Sequence, residues 1–202
     1  VEVPARPPVL CAGCPHRAVF YTLSKMNVRV SGDIGCYTLG ALAPYNAMDA
    51  CVCMGASISM AHGMEKADMM YGNEDKVPTV AVIGDSTFMH SGITSLVDVV
   101  YNKGASTVII LDNSITGMTG HQQNPTTGYT IKNEEAPAVN LIKLAEAIGI
   151  KRITVVDPFD LKKLKNTITE ELAADEPSVI ISQRPCALLK KVNYGAPVVI
   201  DS

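Results

Sequence analysis

Continuously apolar, β-branched runs alternate along the chain with stretches whose apolar residues recur at helical spacing. Strands are predicted at "NVRVSGDI", "VPTVAVIGD", "STVIILDN", "KRITVVD" and "PSVIISQ", and helices at "MGASISMAHGMEKA", "HSGITSLVDVVYNKG", "APAVNLIKLAEAIG" and "FDLKKLKNTITEELAAD". Strands that alternate with helices build βαβ crossovers, and those build a parallel sheet. The expected fold is therefore α/β: a single doubly wound, mainly parallel sheet with helices on both faces. "TVAVIG" and "TVIILD" are apolar without alternation, as strands buried on both faces must be, so both should be central. No internal repeat or second domain is visible. The longest irregular stretch, residues 116–136, reads "TGMTGHQQNPTTGYTIKNEEA". A loop of that length inside a compact domain is expected to carry function.

Length and charge narrow the classes. A chain of 202 residues with 47% hydrophobic residues can bury the core of one domain. A formal net charge of −3 and the lack of any long Lys/Arg run give no bulk attraction to nucleic acid or to an anionic membrane. No apolar run reaches the roughly 18 residues of a membrane span. The opening "VEVPARPPVL" has neither region of a signal peptide, so a cytoplasmic location is expected. Its paired prolines and missing initiator Met read as a linker over residues 1–8 that follows an upstream domain. Six cysteines, Cys11, Cys14, Cys36, Cys51, Cys53 and Cys186, suggest metal or redox chemistry in a reducing compartment before they suggest disulfides.

Ligands of open parallel sheets bind outside the carboxyl ends of the strands. Asp85 and Asn113 each follow such a strand, in "VIGD" and "IILDN", and one βαβ unit separates them. A carboxylate and an amide oxygen above one sheet edge suit Mg²⁺, which keeps waters and accepts substrate phosphates. Gly84 and Gly92, with the helix after Asp85, let backbone N–H groups approach an anion. Local chemistry alone leaves a second reading open, in which Asp85 caps a helix and Asn113 makes a turn.

"GDS" at 84–86 followed by "DN" at 112–113 resembles the two-part thiamine diphosphate signature, with Ser86 in place of its last Gly and Asp112 in place of its first Asn. Six ordered stretches, "CAGCPHRAVFYTL", "SGDIGCYTLG", "CVCMGASISMAHGMEKA", "GDSTFMHSGI", "ILDNSITGMTGHQ" and "RPCALL", are together similar to the thiamine-diphosphate-binding domain in the large subunit of indolepyruvate ferredoxin oxidoreductases. The resemblance runs from about Pro7 to Val192, which places the domain at 9–192 and makes 193–202 a linker to a ferredoxin-like segment.

That resemblance implies an anaerobe enzyme that oxidatively decarboxylates aryl 2-oxoacids such as indolepyruvate to acyl-CoA and passes electrons to ferredoxin. It implies thiamine diphosphate and Mg²⁺ as cofactors, the metal held by Asp85, Asn113 and the Ile115 carbonyl. The Val52 carbonyl should meet the aminopyrimidine, and Met54 should be the apolar wedge under the cofactor. Gly84, Ser86, Thr87, Thr116, Gly117, Met118, Thr119 and Gln122 should surround the diphosphate and substrate, with His16 and Cys36 close by. His16, His90 and His121 are candidates for proton transfer or for binding the oxoacid carboxylate, because imidazole titrates near neutrality. The order of Cys11, Cys14, Cys36 and Cys186 matches the ligands of a [4Fe–4S] cluster in related oxidoreductases. Cys36 and Cys186 each follow a predicted strand, so a parallel sheet brings both to one edge; ordinary core cysteines or a zinc site remain open for the four. Cys51 and Cys53 should be buried apolar residues beside the cofactor.

The Glu that activates the aminopyrimidine is implied to come from a pyrimidine-binding domain of the same or a neighbouring subunit. Glu65 falls on what reads as a solvated helix turn and is a poor substitute. A smaller beta subunit, coenzyme A and ferredoxin complete the implied partners. Two other readings remain: a subunit of a non-redox thiamine-dependent 2-oxoacid decarboxylase of the sulfopyruvate type, which leaves the cysteines without work, and a non-catalytic nucleotide-binding module.

Overall fold

The computed structural model describes residues 3–72 and 77–190. The expected linker at 193–202 lies outside the described residues. Six parallel strands, β1 (Arg29–Gly32), β2 (Ala50–Cys51), β3 (Thr79–Gly84), β4 (Thr107–Asp112), β5 (Arg152–Val156) and β6 (Ser178–Gln183), form one sheet in the order β2-β1-β3-β4-β6-β5. β3 and β4 take the two central positions. Each of them alternates its side chains between two cores, as the pleat requires. Val80, Val82, Ile109 and Leu111 enter one core, and Ala81, Ile83, Val108 and Ile110 the other. Burying an aliphatic side chain of this size is worth about 1.5–3 kcal/mol, so these two strands supply most of the sheet's contribution to stability.

Helices cover both faces. Val19, Phe20 and Leu23 of α1 (Pro15–Leu23) and Leu164 and Ile168 of α6 (Leu161–Leu172) pack in the first core. α2 (Ala56–Tyr71), α4 (Ile93–Tyr101) and α5 (Leu141–Ile148) pack in the second through Ile58, Ala61, Leu96, Val99, Leu141 and Ala145. The segment between β3 and α4 is a single helical turn, α3 (Asp85–Thr87), followed by a π-helical turn over Phe88–Gly92. The apolar pattern missed α1, the 3₁₀ turn at Cys36–Ala41 and the two-residue β2. The 3₁₀ turn and β2 are too short to show a period. No helix among the described residues is long and apolar enough to cross a membrane.

The sheet runs outward from β1 to β2 and then, from β3, outward in the other direction. The switch point therefore lies between β1 and β3, where crossovers leave on opposite faces and a crevice opens beyond the strand ends. Asp33, fully buried directly after β1, fixes one wall of that crevice. Its two carboxylate oxygens accept hydrogen bonds from the backbone N–H groups of Gly55 (2.8 Å) and Ser57 (3.0 Å), and so cap α2 from outside the helix.

Candidate functional site

A cavity of about 110 Å³ opens beyond the ends of β1, β3 and β4. Ile34 and Gly35 line it from β1, Gly84 to Thr87 from β3, and Asn113 to Thr119 from the segment after β4, apart from Ser114. Asp85 and Asn113 thus meet in one place, as the strand-end argument expected, and Ile115 lines the same cavity. The ring of Tyr37 forms the floor. A Cβ on Gly84 would stand 2.5 Å from its Cε1, so only glycine fits there. The Tyr37 hydroxyl lies 2.8 Å from the Ile34 carbonyl and 3.2 Å from Thr87 Oγ1, and burial pushes its ionisation up.

The charges are unbalanced here. Asp85 is 2% exposed and Asp112 is buried beside it; among the described residues no cation forms an ion pair with either. Burial, and next the charge of Asp112, push Asp85 up to about 6, although donors on Asn124, Ser86 and Thr126 oppose the shift. Burial likewise pushes His16 down to about 4, so it is neutral at pH 7. Its Nε2 lies 3.4 Å from Asn113 Nδ2, and Asn113 Oδ1 accepts from the Ile115 N–H at 3.3 Å. The amide therefore donates to Nε2, and the imidazole proton sits on Nδ1.

The long connection from β4 to α5 folds back over this mouth. Thr116 pairs with Gln122 as an antiparallel bridge, and Thr116 Oγ1 lies 2.8 Å from Ser86 Oγ. Gln122 braces the loop: its Oε1 accepts from Thr119 Oγ1 at 2.7 Å, and its side chain stays outside the cavity lining. Met54 and Met118 line the cavity and are about half exposed, whereas Val52 is 71% exposed and does not line it. His90 is exposed, with Nδ1 3.0 Å from Ser91 Oγ, and does not line the cavity either. His121 lies in the left-handed region at φ 62° and faces a second cavity.

That second cavity, about 320 Å³, is lined by Cys11, Cys14, Cys36 and Cys186 together. None of the six cysteines forms a disulfide. Burial pushes the Cys14 thiol up to about 11, against a backbone hydrogen bond from His16 and with the neighbouring Cys11, Cys186 and Cys36 adding to the rise. Cys36 is raised by burial and then by Cys186 and Cys11. Cys36 and Cys186, each expected to follow a strand at one sheet edge, line the same cavity, and the Cys186 N–H donates to the Asn113 carbonyl at 2.9 Å. Among the described residues no group of three or more His, Cys, Asp or Glu closes tightly enough to hold a single metal ion. His16, Cys36, Asn113, Gly117 and Met118 line both cavities.

Two expectations are corrected. Cys51 and Cys53 are exposed, because the two-residue β2 sits at the sheet edge with nothing among the described residues packed over its end. Glu65 is not on a solvated turn. Its side chain is 15% exposed and accepts hydrogen bonds from the Ala105 N–H (2.8 Å) and Ser106 Oγ, because the chain entering β4 folds against α2. Residues that the sequence reading missed include Asp33, Tyr37, Asn124 and Thr126. Only the last two had a signal, as polar side chains flanking Pro125 in the long loop.

Comparison with known proteins gives the following. A family described as "Thiamine pyrophosphate enzyme, C-terminal TPP binding domain" matches residues 33–182. Indolepyruvate oxidoreductase subunit IorA of Archaeoglobus fulgidus is 40% identical over 193 residues, covering 93% of this chain and 30% of that protein. The subunit of the same name from Methanothermobacter marburgensis is 37% identical over 209 residues, covering 99% of this chain and 33% of that protein. The chain thus spans about a third of the length of these relatives. Among solved structures, a 2-oxoglutarate:ferredoxin oxidoreductase from Magnetococcus marinus, with 2-oxoglutarate, coenzyme A and succinyl-CoA bound, aligns with a TM-score of 0.74 at 17% identity, over 90% of this chain and 65% of that one. At that identity the likeness concerns the fold.

Proposed function

Because the chain belongs to the thiamine pyrophosphate enzymes as their C-terminal cofactor-binding domain, we propose that it forms half of the active site of a 2-oxoacid:ferredoxin oxidoreductase. The substrate class is the aryl pyruvates, indolepyruvate among them; the products are acyl-CoA, CO₂ and reduced ferredoxin. The observation that carries this reading is the common wall of the two cavities, formed by His16, Cys36, Asn113, Gly117 and Met118. It sets a cysteine-lined chamber directly against the cofactor mouth. Bound there, thiamine diphosphate supplies an electron sink for decarboxylation, Mg²⁺ balances its diphosphate, and a [4Fe–4S] cluster accepts single electrons.

The chain's own groups suit these tasks. Asp85, Asn113 Oδ1 and the Ile115 carbonyl would hold Mg²⁺; one carboxylate with neutral oxygens is a donor set for a hard cation. The two buried carboxylates, with no cation paired to either among the described residues, make a positive guest favourable. Gly84 to Thr87 would receive the diphosphate above the Tyr37 ring. Neutral His16 accepts from the Asn113 amide at Nε2 and keeps that side chain oriented. Cys11, Cys14, Cys36 and Cys186 would hold the cluster. What supports that reading is that all four line one cavity.

The mouth is too small for the whole cofactor, since pockets for molecules of that size measure roughly 300–1,000 Å³. A pyrimidine-binding domain, from the same or a neighbouring subunit, would close it over exposed Val52, Met54 and Met118 and bring the activating Glu. Glu65 is committed elsewhere. The smaller beta subunit would complete the enzyme. The test uses the full-length protein prepared without oxygen: indolepyruvate- and coenzyme A-dependent ferredoxin reduction, with iron and sulfide lost in part in Cys14→Ser. A protein that binds thiamine diphosphate but no iron is instead a non-redox decarboxylase half, and one that binds no thiamine diphosphate overturns both readings.

A further inference from the structure

Two side chains of the long loop converge on a single oxygen of Asp85. Asn124 Nδ2 donates to Asp85 Oδ2 at 3.1 Å, and Thr126 Oγ1 lies 3.3 Å from the same atom. Both come from a turn that is itself tied down. Asn124 Oδ1 accepts from the Thr126 N–H at 2.9 Å, the Asn124 carbonyl accepts from the Thr127 N–H and Oγ1, and the Pro125 carbonyl accepts from the Val139 N–H at 2.8 Å. Asn124 is buried. The bonds therefore do not depend on a mobile surface side chain.

We propose that Asn124 and Thr126 are positioning residues that dictate which oxygen of Asp85 meets the cation, and thereby make the site selective for Mg²⁺ over Ca²⁺. The inference rests on the cation reading given above and goes beyond it. An amide and a hydroxyl bind Oδ2 without neutralising it, whereas a Lys or Arg there would compete with the metal. With Oδ2 occupied, Asp85 presents one oxygen, Oδ1, to a cation. Mg²⁺ demands near-ideal octahedral geometry and takes carboxylates through one oxygen, while larger Ca²⁺ tolerates two-oxygen contact and irregular geometry. A carboxylate free to turn would serve Ca²⁺ as well as before and Mg²⁺ worse.

The two residues are unequal. The Thr126 hydroxyl has one proton and two acceptors, Asn124 Oδ1 at 2.7 Å and Asp85 Oδ2 at 3.3 Å. The shorter contact takes the larger share, so Asn124 holds Asp85 directly and Thr126 mainly holds Asn124.

The test is calorimetric titration of the full-length protein with thiamine diphosphate at graded Mg²⁺ or Ca²⁺, alongside thermal unfolding. Asn124→Ala is expected to weaken the Mg²⁺ dependence ~10–100-fold, the range for lost outer-shell partners of a metal ligand, and to leave the Ca²⁺ dependence within about 3-fold. Thr126→Val should move in the same direction by less, and Thr126→Ser should restore the original ratio. A loss of stability alone would lower both affinities together and keep their ratio. An unchanged Mg²⁺-to-Ca²⁺ ratio in Asn124→Ala, or in Thr126→Val where Asn124→Ala does not fold, overturns the clamp. If the unaltered protein binds thiamine diphosphate with neither cation, the cation reading itself falls.

Discussion

The central strands β3 and β4 carry a polar cluster at each end, and the two are built on opposite principles. Where the strands begin, Arg29 pairs with Asp68, Glu65 accepts from Ala105 and Ser106, and His62 Nδ1 and Lys66 Nζ stand 3.8 and 3.9 Å from its carboxylate. Each charge there meets an opposite charge or a donor. Where the strands end, Asp85 and Asp112 are buried side by side, and their hydrogen bonds come from neutral groups: Asn124 and Thr126 for one, Ser114 and Gln183 for the other. The first cluster pairs its charges, although Arg29 Nε, His62 Nδ1 and Thr79 Oγ1 have no hydrogen-bond partner among the described residues, and it acts as architecture. The second lacks positive charge, and a buried, uncompensated charge is expensive enough to persist only where something else supplies the balance. A cavity of about 270 Å³ adjoins the first cluster, so volume alone does not separate a ligand site from a structural seam. Charge balance does.

Substitution at the two clusters should give opposite outcomes. Asp85→Ala removes the one charged ligand proposed for the cation. It is expected to weaken Mg²⁺-dependent thiamine diphosphate binding by more than ~100-fold, beyond the range of outer-shell losses, with little loss of stability. Glu65→Gln is expected to cost about 1–3 kcal/mol in urea unfolding, as buried donors lose a charged acceptor, and to leave cofactor affinity unchanged. Calorimetry and unfolding on the same samples check both, and a binding defect in Glu65→Gln would erase the distinction.

A sharper version keeps the shape and changes only the charge. Folding raises the Asp85 ionisation from 3.8 to about 6. The folded, metal-free protein thus binds the proton more tightly than the unfolded chain does. The resulting stability is complete below pH 4 and lost as pH rises through about 6. Asp85→Asn should therefore match the unaltered protein near pH 4 and exceed it by roughly 1–3 kcal/mol at pH 7.5 in chelator, from a shift of about two units. Mg²⁺ with thiamine diphosphate should reverse that order. An Asp85→Asn protein no more stable at pH 7.5 than at pH 4, relative to the parent, would show that the carboxylate is already compensated.

How much of this was legible without coordinates depended on how locally each feature is encoded. β3 and β4 stood out as uninterrupted apolar runs, and Asp85 and Asn113 were legible because each abuts such a run. Cys36 and Cys186 were placed at one edge by the geometry of parallel sheets, without any compact motif. Asn124 and Thr126 were marked only by their place beside Pro125 in the long loop, since their contacts with Asp85 depend on the path of the connection between β4 and α5. Glu65 was misread because a helical pattern does not reveal that the chain entering β4 folds against that turn. Cys51 and Cys53 were misplaced for a related reason: apolar residues next to a motif look buried until the strand at or just before them proves to be a two-residue edge.

Asn113→Ala tests the milder side of the open cluster. Its amide oxygen is a neutral ligand that water can replace, so the expected loss of Mg²⁺-dependent affinity is about 10-fold, near 1.4 kcal/mol, well below that of Asp85→Ala. Equal losses would mean that Asn113 does more than coordinate, for example by holding His16 or, through its carbonyl, Cys186.

The smallest effect is expected at the closed cluster, from Ser106→Ala. Ser106 Oγ donates to Glu65 Oε2, while the Ala105 N–H donates to Oε1 and His62 Nδ1 stands 3.8 Å from Oε2. Removing the hydroxyl takes one donor from a carboxylate that keeps its backbone donor and Lys66 beside it, so nothing is left charged and bare. A hydrogen bond to a charged group is worth about 1.5–3 kcal/mol when no substitute exists. With Lys66 and His62 free to move closer, about 1 kcal/mol of stability should be lost. A loss at the full value of about 1.5–3 kcal/mol for an unreplaced charged hydrogen bond in urea unfolding would show that the cluster does not compensate internally, and the contrast between the two strand ends would then rest on the open cluster alone.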